Sequence, residues 1–546
     1  MSGRKKQNGM STDESLPSQA AWRTALLVVG AVTLLRISLL FLNPLQLYPD
    51  EAQYWVWSRH LAFGYFSKPP MIAWLIRLTT SLGGQGEAWV RLSAPILHAG
   101  AALALCRAGG RLYGDRAGLW SALIYTLIPG VQLSSAIMST DAPLMLFVSL
   151  AVWAYAAFWR ETTPTRRRWA AAAMGAALGA AFLTKYASLY IAGGVLLHGI
   201  VSRDARRRWD PVSIALYAGL GLLFAAPNLV WNAIHHFQTV AHTAENADLG
   251  DEKAGLKGLF GQRGPFGYLL GQFGVFGPVP FAIALMSFLA ASRRRAAPAD
   301  VLLVCLAAPA LLIVFGESIA ARANANWAGA AYPPAAALTA GVLDRWSRRR
   351  LFAYGVVGLQ AAAAAGFLLV LLSPWLVDRL GAGNAFKRAR GWREDAAAVV
   401  AATRTSAASA PLTAIAVDDR FLFNALSYYA RDGSGRPAGA LPAPLRMWVR
   451  LAKPANQAET EAPLTRAYGA RVFGVSASWF YLIAFRHDFS RVTMGAPVTV
   501  RLDRRHQRKL DMFIGEDFQP RPRDPLTGLP IPPGSDIRTV RDSPAR

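Results

Sequence analysis

Tyr48-Pro49-Asp50-Glu51-Ala52-Gln53-Tyr54-Trp55-Val56-Trp57 follows the first long apolar run of the chain, Ala25 to Leu42, on the side away from the basic N-terminus. A run of that length crosses a bilayer as a helix. Two carboxylates therefore stand at its exit, heading a segment rich in aromatic rings. A further acid, Asp141, stands in Ser139-Thr140-Asp141-Ala142-Pro143, where another apolar segment begins. Charges at membrane boundaries are costly and are kept where something uses them.

Of 546 residues 53% are hydrophobic, and they come in long runs rather than in alternation with polar positions. Spans are expected near 24–43, 87–106, 117–134, 142–159, 169–185, 186–202, 211–228, 266–290, 299–316, 327–343 and 351–374. The expected fold class is a polytopic α-helical membrane protein with about 11 (11–13) transmembrane helices and a small C-terminal α/β domain.

The net charge of +25 falls in alternate connections: Arg4-Lys5-Lys6 with Arg23, then Arg107, Arg111 and Arg116, then the triplets at 166–168, 206–208, 293–295 and 348–350. This is the positive-inside pattern. It puts the N-terminus in the cytoplasm and, with eleven spans, the C-terminal segment outside. A nucleic-acid binder gathers its charge on one patch, so no nucleic-acid partner is expected. Asn43-Pro44 ends the first run without a small-residue cleavage site, so the run reads as an anchor, not a signal peptide. Cys106 and Cys305 are the only cysteines, both within or beside spans, which leaves no disulfide framework outside.

The expected organisation is a disordered cytoplasmic leader (1–22), a membrane domain (23–375), a periplasmic α/β domain (376–519) and a loose tail (520–546). In the C-terminal domain Leu412–Val417, Arg471–Val475 and Val498–Arg501 read as strands and Phe421–Arg431 as a helix. Two outer connections are long, Asn43 to Glu87 and Asn228 to Phe266. In the first, Asp50, Tyr54 and Trp57 recur at helical spacing, which predicts a short interfacial helix. Pro69-Pro70 then interrupts the chain before a second apolar helix, Met71–Leu82. The stretch Gly264 to Pro280, rich in Gly, Phe and Pro, reads as a re-entrant or broken span.

That topology assigns Asp50, Glu51, Lys68, Asp141, Lys185, Asn232, His235, His236, Arg322, Asn324 and Asn326 to the outer side. Acids and cations at comparable depth, with aromatic rings and access to lipid, suit transfer of a sugar from a polyprenyl phosphate. Lys or Arg neutralises the leaving phosphate, a carboxylate takes the acceptor's proton or orients it, and aromatic rings pack on sugar faces.

The same residues carry a resemblance. Asp50-Glu51-Ala52-Gln53-Tyr54-Trp55, Lys68-Pro69-Pro70, Thr140-Asp141-Ala142-Pro143, Thr184-Lys185-Tyr186 and Asn324-Ala325-Asn326-Trp327 resemble motifs of a bacterial glycosyltransferase family. That family groups the aminoarabinose transferases of lipid A with the rhizobial galacturonic acid transferases, and is related to protein O-mannosyltransferases. The resemblance implies the C-type glycosyltransferase fold, a polyprenyl-phosphate-linked sugar donor, and a lipid or glycan envelope acceptor at the periplasmic face of a bacterial inner membrane. It implies catalytic roles for Asp50 and Asp141, with Glu51 beside them. Phosphate contacts fall to Lys68, Arg322 and Lys185, and substrate contacts to Tyr54, Trp57, Asn326, Trp327 and His235. In the aminoarabinose branch a glutamate that helps hold a metal precedes the lysine, where this chain has Ser67. The resemblance therefore carries neither that metal nor the aminoarabinose substrate across. A divalent cation stays open, since two acids can bind one or act without it.

Each residue also has a plainer reading. Asp50 suits a helix N-terminus, Asp141 before Ala-Pro suits an N-cap, and Lys68 and Lys185 can snorkel. Glu51 can be a solvated neighbour, His235-His236 a structural pair, and Asn326-Trp327 an interface anchor. The competing function is a transporter or lipid flippase. Those place charges near the midplane on repeated, broken helices, whereas here the charges lie at one face and no repeat is seen.

Overall fold

Among the described residues, six helices are long and apolar enough to cross a bilayer, and two further helix pairs, each bent at a short break, raise this to as many as eight. The computed structural model describes residues 18–245, 264–320, 323–346, 350–381, 383–431, 440–524 and 529–531. In chain order the helices used below are α1 (Gln19–Leu42), α2 (Pro49–Trp57), α3 (Met71–Gly83), α4 (Ser93–Tyr113), α5 (Asp115–Thr126), α6 (Pro129–Ala136), α7 (Asp141–Arg160), α8 (Pro164–Phe182) and α9 (Leu189–Val201). They continue with α10 (Pro211–Ile234), α11 (Pro265–Val275), α12 (Pro278–Ser292), α13 (Pro298–Ala320), α14 (Tyr332–Arg345), α15 (Arg350–Leu372), α16 (Trp392–Ser409), α17 (Arg420–Tyr429) and α18 (Trp479–Arg486).

The chain divides into two compact units. The first comprises Met1–Leu42, Lys68–Leu75 and Arg91–Leu369; the second comprises Asn43–Ser67, Ile76–Val90 and Val370–Arg546.

In the first unit α4 runs along α5 and α7, α8 packs against α7 and α10, α9 lies on α13, and α14 contacts α4, α5 and α13. The α5–α6 and α11–α12 pairs bend by 59° and 118°. The second bend lies inside Gly264–Pro280, at Gly277, whose φ of +105° is open to glycine. The expected spans near 169–185, 186–202 and 327–343 fall on α8, α9 and α14, which are short or carry polar residues at one end. α10 continues past Asn228 to Ile234, so the second outer connection starts later than the sequence suggests. The buried Asn232 tolerates this because its amide donates to the Asn228 carbonyl at 3.0 Å. Small residues let α8 and α10 approach closely, the usual device where lipid removes the hydrophobic drive. A Cβ on Gly175 would sit 2.1 Å from the Tyr217 carbonyl oxygen, and one on Gly179 would sit 2.4 Å from that of Gly221.

The second unit is a mixed sheet with helices. Strands β1 (Ala414–Val417), β2 (Leu445–Met447), β3 (Arg471–Ser476), β4 (Phe489–Met494), β5 (Val498–Arg501) and β6 (Gln507–Phe518) order as β2-β1-β3-β6-β4. β1 pairs in parallel with β2 and β3, while β3, β4 and β5 all run antiparallel to β6. The core gathers Ala414, Trp448, Val472, Phe485 and Phe513.

Hydrogen bonds tie the first-loop segment into this unit. The Gln46 carboxamide oxygen accepts from the Trp392 amide at 2.6 Å, the Leu47 amide donates to the Tyr429 hydroxyl at 2.8 Å, and the Tyr428 hydroxyl donates to the Gln85 carbonyl at 2.7 Å.

Two outcomes follow. Gly175→Val forces the α8–α10 contact apart and costs about 1–3 kcal/mol, the range for overpacking. Gly193→Ala meets no atom within 4 Å and leaves the melting temperature of the detergent-purified protein at or above wild type. In the second unit burial pushes the Asp418 carboxyl up to about 7, with the Ser476 hydroxyl offsetting part of the rise. An unfolded aspartate ionises near ~3.9, so its stabilising contribution is complete below that pH and lost as pH climbs to about 7. Unfolding of the second unit, followed in the full-length protein, should shift to lower temperature from pH 5 to 8, and Asp418→Asn should flatten that trend.

Candidate active site

Four polar residues of the sequence motifs converge in the first unit. Asp141 opens α7, where its backbone amide donates to the Ser139 hydroxyl at 3.3 Å. Its Oδ1 accepts from Lys185 Nζ at 2.8 Å and its Oδ2 from Asn326 Nδ2 at 3.4 Å. Lys68 stands close enough for its charge to act on the same carboxylate. Asp141 and Lys185 keep side-chain exposures of 19% and 21%, so the pair is sheltered yet reachable from outside.

Local structure explains each position. Lys185 is extended, with φ −164° and ψ 136°, between α8 and α9. The Thr184 hydroxyl closes the end of α8 on the Ala181 carbonyl at 2.6 Å, turning the lysine out of the helix. Pro69-Pro70 breaks the chain ahead of α3, and the Met71 amide donates to the Leu183 carbonyl at 3.0 Å. That bond brings Lys68 beside the Thr184-Lys185 turn. Asn326 lies on a short 3-10 stretch, Ala325–Ala331. The stretch is held by the Gln272 amide, which donates to the Ala325 carbonyl at 2.9 Å, and by the Tyr332 hydroxyl, which donates to Gln272 Oε1 at 2.7 Å. Trp327 is half-buried against the helical core.

A second polar layer escapes sequence reading. Arg36, buried within α1, donates to the Thr126 carbonyl at 2.7 Å and to Gln132 Oε1 at 2.9 Å. His98 bonds the Tyr125 hydroxyl at 2.8 Å and the Ser134 hydroxyl at 2.9 Å, and feels the charges of both Arg36 and Asp141. The available signal was an arginine inside an otherwise apolar run, since such residues mark functional sites by default.

In the second unit Asp50 and Glu51 part ways. Glu51 turns inward and accepts from the Tyr48 amide at 2.9 Å, capping α2. Asp50 is exposed, and among the described residues no hydrogen bond or ion pair holds its carboxylate. Tyr54 and Trp57 are buried with ring centroids 5.3 Å apart, and Trp57 stacks on Tyr65 at 4.6 Å. Their first task is packing. His235, exposed at the end of α10, stacks on Trp231 at 4.0 Å and bonds its carbonyl at 2.8 Å. Arg322 lies outside the described residues.

Two lysines face the one carboxylate of the Asp141 cluster, and cationic side chains of this kind suit a phosphate. Both Asp141 oxygens are engaged, and among the described residues no three His, Cys, Asp or Glu side chains gather.

A family profile described as dolichyl-phosphate-mannose-protein mannosyltransferase matches residues 67–231, the stretch that holds Lys68, Asp141 and Lys185. The lipid A galacturonosyltransferase RgtD of Rhizobium johnstonii is 35% identical over 428 residues, covering 78% of this chain and 86% of RgtD. Crystal structures of ArnT from Cupriavidus metallidurans share the fold at 18% identity. The apo form has a TM-score of 0.61 over 90% of this chain and 98% of ArnT; the form bound to undecaprenyl phosphate has 0.59 over 91% and 98%. The chain is thus a membrane glycosyltransferase of the C-type fold and belongs to the family of the lipid A aminoarabinose and rhizobial galacturonic acid transferases, kin to the protein O-mannosyltransferases.

Proposed function

We propose that the chain moves one sugar from an undecaprenyl-phosphate donor onto lipid A or a related envelope glycolipid, at the periplasmic face of the inner membrane. The observation that carries this reading is the Asp141–Lys185 pair with Lys68 beside it, a cationic cluster at a sheltered helix start. Arginine clusters in alternate connections support a cytoplasmic N-terminus and an external second unit. The name of the Rhizobium relative makes galacturonic acid the first sugar and lipid A the first acceptor to test.

In the proposed reaction the bond between the sugar's anomeric carbon and the donor phosphate breaks, and the electron pair leaves with polyprenyl phosphate. Lys68 and Lys185 neutralise the charge that appears there. An acceptor hydroxyl forms the new bond to the anomeric carbon and gives up its proton to a carboxylate. Asp50 is our candidate for that base, on the strength of the first-loop motif and its exposed, unpaired oxygens. Asp141 holds Lys185 in register, and Asn326 fixes the second oxygen of Asp141.

Transfer from synthetic undecaprenyl-phosphate galacturonic acid to lipid A in proteoliposomes, read by mass spectrometry, tests this. Asp50→Asn should lower the rate by about 10²–10⁴, the usual worth of a general base. Full activity in a correctly inserted variant would defeat the assignment. Lys185→Gln and Lys68→Gln should each lower transfer by about 10²–10³, as expected on removing one charge stabiliser. Wild-type rates in both would remove the phosphate role from this cluster.

A further inference from the structure

The second unit holds a cavity of about 230 Å³ built entirely from its own residues, between α2, the N-terminal part of α17 and the segment 456–462. Six side chains give it chemical character: Gln53, Trp57, His60, Arg420, Asn424 and Glu461.

Several of these groups are buried with bonding capacity unspent. Gln53 is 7% exposed, and among the described residues its carboxamide has no hydrogen-bond partner. Asn424 is buried too; its Nδ2 donates to the Arg420 carbonyl at 2.8 Å, which leaves its Oδ1 for the cavity. Arg420 caps the cavity with a guanidinium, and among the described residues no carboxylate lies within ion-pair distance of it. Glu461 stands at the rim, held by the Gln457 amide, while Gln457 Oε1 accepts from the Phe66 amide at 2.7 Å. Trp57 has one ring face stacked on Tyr65 and contributes to the cavity wall.

Polar atoms that open into a cavity are satisfied there by water or by a ligand. The Gln53 carboxamide, the Asn424 Oδ1, an indole wall and a carboxylate acceptor match the paired donors and acceptors of adjacent sugar hydroxyls and the apolar face of the ring. The guanidinium adds a fork that suits a carboxylate or phosphate. The volume is small for a lipid. Placement strengthens the case, because Gln53 and Trp57 follow Asp50 at i+3 and i+7 and so share one stripe of α2 with it.

We propose that this cavity binds a pyranose ring carrying an anionic substituent, with Arg420 on the anion and Gln53 and Asn424 on ring hydroxyls. The ring comes either from a uronic acid or from a phosphorylated amino sugar of the acceptor. Its physiological meaning rests on the glycosyltransferase reading above; its binding does not.

Saturation-transfer NMR on the full-length protein in detergent provides the test, with galacturonate, glucosamine 1-phosphate and neutral galactose as probes. At least one anionic sugar should bind more tightly than galactose. Arg420→Gln should erase that preference, weakening the anionic probe by about tenfold or more, and Gln53→Leu should weaken all sugars. Arg420 holds no ion pair among the described residues, so its variant should melt within about two degrees of wild type, the spread of a neutral surface change. Galacturonate alone binding identifies a uronate source, and the phosphate probe alone identifies the acceptor; both binding supports the shared chemistry. No anionic binding, or binding unchanged in both variants, overturns the proposal. Asp50→Asn should stop transfer while leaving this binding intact. Loss of binding with transfer preserved therefore rejects the cavity alone, and binding without transfer in the wild type rejects only the proposed reaction.

Discussion

A carboxylate at the start of a membrane helix has to be neutralised, and the Asp141–Lys185 pair meets that constraint at 2.8 Å. Stripping one partner from a buried pair costs about 3–5 kcal/mol; partial exposure of both side chains lets water offset some of that. The pair joins the start of α7 to the turn between α8 and α9, and Asn326 adds the 3-10 stretch ahead of α14. Three separate connections are therefore held in register by one acid. The surrounding backbone is shaped to allow it: Thr184 ends α8, Pro69-Pro70 ends the first loop, and Gln272, held by Tyr332, fixes the Ala325 carbonyl next to Asn326. A phosphate entering such a cluster meets cations already oriented, so little reorganisation is needed when charge develops.

What sequence could reveal here follows from where polar groups sit relative to apolar runs. Asp141, Lys185 and Asn326 each flank a run, so hydropathy alone singles them out, and the structure joins them. Arg36 and His98 lie inside runs, and their partners, Thr126, Gln132, Tyr125 and Ser134, belong to other helices. No local pattern announces such pairings. In the second unit β1, β3, β5 and α17 were legible from short apolar stretches bounded by turns. β6 was not, because its first residues, Gln507-Arg508-Lys509, are polar or charged and pair with strand β5, while burial sets in only from Leu510. α16 was hidden for a related reason: alanine-rich and weakly amphipathic, it is defined by packing more than by pattern. Glu51 illustrates a different limit. Adjacent acids look equivalent in sequence, yet a helix start has one position from which a side chain can reach back to the preceding amide, and Glu51 occupies it.

The aromatic wealth of the first loop gains a structural explanation from the same logic. Trp55 donates to Gln85 Oε1 at 2.8 Å, meets Tyr428 edge-on at 5.1 Å, and lies under the Arg431 guanidinium at 4.1 Å. Those contacts fasten α2 to α17. The first-loop rings therefore help to hold a helix, and Trp57 also lines the cavity. A helix fastened along one face presents the opposite residues at fixed intervals. With Glu51 and Trp55 turned inward, Asp50 is left in solvent and Gln53 and Trp57 face the cavity. Rigid mounting matters more for a proton acceptor than for a binding surface, because a small misplacement of the base costs rate steeply. The aromatic cluster thus serves as the mount of Asp50, our proposed base, with proposed recognition left to the amides, the guanidinium and the cavity-facing indole of Trp57.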